Sequence, residues 1–252
     1  KLRLHLTDDE AWRLEIKSHP ELAKVGGFRG GDSPIWPRYG KWTEKWGGYY
    51  THEDMKELIA YAADRNIEII PEVDVPGHSH AIARVRPDVL CNFTPDLDRS
   101  NGYDTRDVWC AAKESNYELL EDIIREIAEV FPSKYIHIGG DEVKFKQWEQ
   151  CPDCQALAKK RGVKIGPEYQ DIFMERVRQI VKKYNKNDLQ AFVRALAVFQ
   201  GWIGQAIDGQ IEFRDFAGEL YMDSGTSNGK AGQFFTPFSV SSVMAEVDLD
   251  AD

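Results

Sequence analysis

Short apolar strand signals alternate with capped amphipathic helices along most of this chain, and that order constrains the fold more than any other feature. Leu2, Leu4 and Leu6 alternate with polar residues, so residues 1–6 read as a strand ending at Thr7-Asp8-Asp9. Thr51-His52-Glu53-Asp54 reads as a capping-box start, with Met55, Leu58, Ile59 and Ala62 following at helical spacing. Ile67-Glu68-Ile69-Ile70 and Val73 read as a second strand. Ser115 to Glu118 reads as another capping box, heading a helix with Leu119, Ile123, Ile127 and Val130 inside, which Pro132 ends. Tyr135-Ile136-His137-Ile138 reads as a third strand. Pro167 opens a third helix with Tyr169, Phe173, Val177, Ile180 and Tyr184 along one face. This alternation predicts an α/β fold with parallel strands. In such folds the long segments after each strand build a site at the strand C-termini.

Composition excludes several classes of partner. The 252 residues suit one large domain or two small ones. The formal charge of −10 leaves no basic excess to neutralise phosphates, so nucleic acid is not an expected partner. No apolar run approaches the ~18–20 residues of a membrane span, and no leader peptide is visible. The opening Lys1-Leu2-Arg3-Leu4 reads like the middle of a strand, so the chain is expected to begin inside a domain. Charge also divides the chain. Residues 1–187 hold 29 basic and 32 acidic residues, whereas residues 188–252 hold 3 and 10. Composition thus divides the chain into residues 1–187 and residues 188–252, the latter ending in an acidic, solvated tail.

Three strand ends carry chemistry: Thr7-Asp8-Asp9, then Glu72-Val73-Asp74-Val75-Pro76-Gly77-His78, then Gly139-Gly140-Asp141-Glu142. Two adjacent carboxylates in a closed pocket resist double ionisation, so one member keeps a proton near neutral pH. Asp141 and Glu142 are therefore candidates for a general acid beside a fixed anion, with His78 tuning the proton. An Asp-Glu after a strand also serves as a plain helix N-cap, which is the competing reading. A third reading is a metal hydrolase site from His78, His80, Asp8, His137 and Asp141. Against it, His80 reads as a loop residue starting a helix, and His5 and His137 as satisfied strand residues. Cys151 and Cys154 form a C-x-x-C, but Cys91 and Cys110 stand far apart, so the second close pair of a zinc site is missing. The cysteines read chiefly as structural or disulfide-bonded, and neither metal nor cofactor is expected.

The strings HLTDDEAWR at 5–13, GGYYTHEDMKELIAYAADRNIEIIPEVDVPGHSHA at 47–81 and FPSKYIHIGGDEV at 131–143 resemble the catalytic barrel of glycoside hydrolase family 20, the β-N-acetylhexosaminidases. The resemblance runs from residue 1 to about 185 and includes WCAAKESNYELLEDI at 109–123 and WEQCPDCQALAKKRG at 148–162. It implies a TIM-type (β/α)8 barrel, here partial, with the first strand and its sugar-binding arginine missing. It implies a retaining mechanism in which the substrate's 2-acetamido oxygen is the nucleophile, an exception to the two-carboxylate scheme. On that resemblance Glu142 is the acid and base, Asp141 holds the acetamido N–H, and His78 with Asp8 supports Glu142. The implied partner is an N-acetylhexosamine-terminated oligosaccharide or glycoconjugate, with self-association left open. The implied compartment is secreted, periplasmic or lysosomal. The alternative is a catalytically incomplete barrel that binds sugar weakly or serves a structural role.

Past residue 187 the resemblance fades, which implies a barrel segment at 1–187 and a diverged or truncated barrel remainder at 188–252. Trp202 is the only tryptophan after Trp148, and Tyr221-Met222-Asp223 is similar to a family Tyr-x-Asp but also reads as a turn. Trp36, Trp42 and Trp46 are expected to pin the first long loop, and Trp12 and Trp109 to pack beneath the loops.

Overall fold

The computed structural model describes residues 1–35, 43–92 and 107–188. Strand β1 (Leu2–His5) is followed by a short helix α1 (Glu21–Lys24), the strands β2 (Phe28–Arg29) and β3 (Trp46–Gly47), and helix α2 (His52–Ala63). Strand β4 (Ile69–Glu72) leads through α3 (His80–Val85) and a 3-10 turn at Pro87–Val89 to the long helix α4 (Glu114–Val130). Strand β5 (Tyr135–Ile136) leads through α5 (Lys146–Gln150) and α6 (Pro152–Arg161) to α7 (Pro167–Lys183) and β6 (Asn187–Asp188).

β1 and β4 pair in parallel, with Leu2 opposite Ile69 and His5 opposite Glu72. β5 and β6 also pair in parallel, with Ile136 opposite Asp188. A parallel bridge between Glu72 and His137 joins the two pairs. There the His137 amide donates to the Pro71 carbonyl at 2.9 Å and the Val73 amide to the His137 carbonyl at 2.9 Å. The strand order is thus β1-β4-β5-β6, all parallel, and the intervening chain supplies helices α2, α4 and α7. β2 and β3 form a separate antiparallel pair in the first strand-to-helix connection. Among the described residues the sheet does not close on itself.

Period-two alternation sorts the two faces of this sheet. Leu6, Ile69, Val73, Ile136 and Ile138 turn to the helix side and are buried with α4 residues Leu120, Ile123 and Ile127 and α7 residues Phe173 and Val177. The rings of Tyr117 and Phe173 meet at 5.4 Å between centroids, joining α4 to α7. The opposite face is polar. Arg3 Nε reaches Glu72 Oε2 at 3.0 Å, and His137 Nδ1 reaches Glu72 Oε1 at 2.7 Å. His5 and Asp74 continue this polar face toward the strand C-termini.

The two expected capping boxes part company. At Thr51 both reciprocal bonds form, and α2 starts there. At Ser115 none forms, because the N-cap is Lys113, two residues earlier, and α4 already begins at Glu114. Ser115 then lies within the helix's first turn, where its hydroxyl cannot reach forward to an orphan amide. Trp12 and Trp109 are buried, as expected, and Trp46 sits in β3. Trp36, Trp42, Trp202, Tyr221 and Asp223 lie outside the described residues, as does the expected remainder apart from Asp188. No helix among the described residues is long and apolar enough to cross a membrane.

Candidate active site

The three strand ends singled out from the sequence meet at one rim. Each is held there by backbone-directed contacts. Asp8 and Asp9 occupy the turn after β1, where a bridge joins Thr7 to Trp12. Buried Arg29 braces that turn from below, donating to the Glu10 carbonyl at 2.9 Å and to Glu10 Oε2 at 3.0 Å. Thr7 ties the first strand end to the second, its Oγ1 accepting from the Asp74 amide at 3.0 Å. Asp74 ties the second to the third, its Oδ1 accepting from the Gly140 amide at 2.9 Å. Gly139 allows that approach, since a Cβ there would stand 1.7 Å from Asp74 Oδ1.

His78 is the centre of the cluster. Its Nδ1 lies 3.1 Å from Asp8 Oδ1 and 3.7 Å from Asp9 Oδ2. Its Nε2, buried and without a hydrogen-bond partner among the described residues, faces Asp141 Oδ2 and Glu142 Oε2, each at 3.8 Å, and Asp74 Oδ2 at 4.0 Å. The Asp8 hydrogen bond raises the imidazole above its usual value, to about 9, against the opposing effect of burial. For Asp8, burial pushes upward, but the bond to His78 and the Asp9 amide outweigh it and hold the carboxyl below its ordinary value. Burial, then the negative charge of Asp141, lifts Asp74 to about 8. Burial likewise lifts Asp9 to about 6, although its Oδ1 accepts from the His80 amide at 2.9 Å.

His78 and Glu142 also share a backbone conformation. Four non-glycine residues have positive φ among the described residues: Asn66, His78, Glu142 and Asn185. Asparagine adopts this region at little cost, whereas glutamate rarely does. The strain, on the order of 1–3 kcal/mol per residue, is tolerated here at the positions that aim His78 and Glu142 at each other.

Two expectations need correction. The closed pocket around Asp141 and Glu142 is not formed among the described residues: their side chains are 64% and 69% exposed. The buried carboxyls of the cluster are Asp74 and Asp9. The strand-end motif contains Asp74, and the sequence alone assigns it no role. Its tell in the sequence is the period-two placement of Glu72 and Asp74 on one strand face. The metal-hydrolase set is not assembled either. His80 starts α3 and pairs with buried Asp107 at 2.6 Å, while His137 pairs with Glu72, so neither joins His78. Asp8, Asp9 and His78 do offer closely spaced donor atoms, as do Asp74, His78 and Asp141. An imidazolium sharing protons with carboxylates accounts for both groupings.

The chain is similar to proteins already known. Residues 1–194 match the model of the catalytic domain of glycosyl hydrolase family 20. A beta-hexosaminidase of Vibrio furnissii is 42% identical over 183 residues, covering 72% of this chain and 30% of the relative. One from Porphyromonas gingivalis is 33% identical over 229 residues, covering 88% of this chain and 28% of the relative. The crystal structure of a family 20 exo-β-N-acetylglucosaminidase from Vibrio harveyi, in complex with N-acetylglucosamine, superposes with a TM-score of 0.64. It is 38% identical, over 73% of this chain and 29% of that one. This chain therefore spans less than a third of the length of each of these relatives. Ordered motifs, parallel α/β topology and these matches lead to one conclusion: the chain belongs to glycosyl hydrolase family 20.

Proposed function

We propose that this chain carries the acid–base centre of a β-N-acetylhexosaminidase, acting on glycans or glycoconjugates that end in a β-linked N-acetylhexosamine. The observation that carries the reading is the convergence of Asp141 and Glu142 on the Nε2 side of an imidazole whose Nδ1 is held by Asp8. Glu142 gives its proton to the glycosidic oxygen while the substrate's acetamido oxygen bonds to the anomeric carbon. The leaving alcohol departs and an oxazolinium ring remains. Asp141 accepts the acetamido N–H and faces the positive charge that develops on that ring. Glu142 then takes a proton from water as the water oxygen attacks the anomeric carbon, reopening the ring with net retention. The imidazolium of His78, anchored by Asp8, opposes the negative charge left on Glu142 when its proton goes to the leaving group. Neither carboxylate forms a covalent bond, in line with the substrate-assisted exceptions to two-carboxylate glycosidases.

The four parallel strands with helices on one side support a (β/α)8 barrel, of which β1, β4, β5 and β6 are consecutive members. The exposure of Asp141 and Glu142 favours one alternative, a barrel segment that binds sugar weakly without turning it over. Release of p-nitrophenol from its N-acetyl-β-D-glucosaminide by the 252-residue chain distinguishes the two. The expected result is measurable turnover that falls by about 10²–10⁴-fold in Glu142→Gln. Turnover surviving in Glu142→Gln sinks the assignment of that residue. No turnover from a folded chain gives the reading to the binding-only alternative.

A further inference from the structure

The acid–histidine site uses none of the four cysteines, yet all four are buried and free. They come from three separate segments. Cys91 follows the 3-10 turn, Cys110 precedes α4, and Cys151 and Cys154 sit at the N-cap and in the first turn of α6. Their sulfurs all lie within 4.8 Å of one another, with Cys110 and Cys154 3.6 Å apart and Cys91 and Cys154 3.9 Å apart. A disulfide brings two sulfurs to about 2.05 Å. Four thiolates around a tetrahedral zinc, each at about 2.3 Å from the metal, are separated by roughly 3.8 Å. The observed spacing matches the second arrangement.

We propose that Cys91, Cys110, Cys151 and Cys154 together bind one structural zinc ion. Four S–H bonds lose their protons to solvent, four Zn–S bonds form, and no electron is transferred. Soft thiolates in a tetrahedral set select zinc among common divalent ions, and with every position taken by protein the site is structural. The surroundings suit the resulting negative charge. Cys151 and Cys154 lie at the N-terminus of a ten-residue helix, where the backbone amides and the helix dipole favour thiolates. No side-chain bond caps that terminus. The hydroxyl of fully buried Tyr169 stands beside Cys154 with no conventional hydrogen-bond partner among the described residues. Buried Trp109 and Trp148 shield the cluster from water.

The metal would clamp the segment between β4 and α4 to the segment between β5 and α7. Those two segments carry His78 and Glu142. Cys110 follows Trp109, whose amide donates to the Pro76 carbonyl at 3.0 Å, so the clamp reaches the turn holding His78.

Elemental analysis of the chain, purified and reconstituted with zinc chloride under reducing conditions, tests this directly. The expected content is one zinc per chain, falling at least ten-fold in Cys154→Ser. Titration of the wild-type chain with an organomercurial, followed by a zinc-sensing dye, is independent of whether that variant folds. The expected result is one zinc released as four thiols are blocked. Four reactive thiols without zinc overturn the proposal. So does a native mass lowered by the hydrogens of disulfides, or iron bound in place of zinc.

Discussion

Two imidazoles, His5 and His78, stand among five carboxylates, Asp8, Asp9, Asp74, Asp141 and Glu142. They cannot balance that many charges, so protons stay on the acids that burial most disfavours as anions. Asp74, whose side chain has no exposure, is the prime holder. The stability consequence has a definite sign. A group whose folded value is raised contributes fully below its unfolded value and loses that contribution as pH rises through the folded value. Asp74 therefore loses its contribution between about pH 4 and about 8, and His78 between about 6.5 and about 9. Calorimetric melts should show a midpoint that falls steadily from pH 6.5 to 9. Asp74→Asn, which mimics the protonated acid, should flatten the part of that fall below pH 8. Equal slopes in both proteins would place the proton elsewhere. The sequence marks Asp8, His78, Asp141 and Glu142 by their positions at strand ends. It does not mark Asp74 as the proton holder, because burial of a strand acid depends on what covers it.

Helix faces follow directly from spacing. Leu119, Ile123, Ile127 and Val130 of α4 and Tyr169, Phe173, Val177 and Ile180 of α7 are all buried. Helix starts are less legible, because a Ser-x-x-Glu string works as a cap only if the serine stands in extended backbone just outside the first turn. Thr51 meets that condition and accepts from the Asp54 amide at 3.1 Å, while Ser115 stands two positions past the N-cap Lys113. Urea denaturation should separate the two. Thr51→Ala is expected to cost about 1 kcal/mol. Ser115→Ala should stay within about 0.5 kcal/mol of the parent, since its hydroxyl satisfies no helix terminus. A comparable loss in both would mean that Ser115 caps α4 in solution.

The packed layer between α4, α7 and the sheet is where the separate units become one structure. Phe173 is fully buried there against Tyr117. Phe173→Ala should lower unfolding free energy by about 3–5 kcal/mol through lost transfer energy and the cavity left behind. Denaturant melts that show less than 1 kcal/mol would mean that the layer repacks freely. The sheet's other face is built differently, from Arg3, Glu72 and His137 in mutual contact. That arrangement suits the inside of a closed barrel, where charged side chains from neighbouring strands satisfy one another.

Local chemistry alone determined the strands β1, β4 and β5 and the helices α2, α4 and α7 between and after them, the buried faces of α4 and α7, and the acids and histidine at strand ends. Each depends on residues within a few positions of one another, where side-chain period and backbone preference act directly. Tertiary packing decided which acid is buried and which histidines stand apart from the site. It also decided that Cys91 and Cys110, distant in sequence, meet Cys151 and Cys154. Solvent exclusion and the meeting of distant segments arise only when helices close over the sheet, so no local pattern along the chain encodes them.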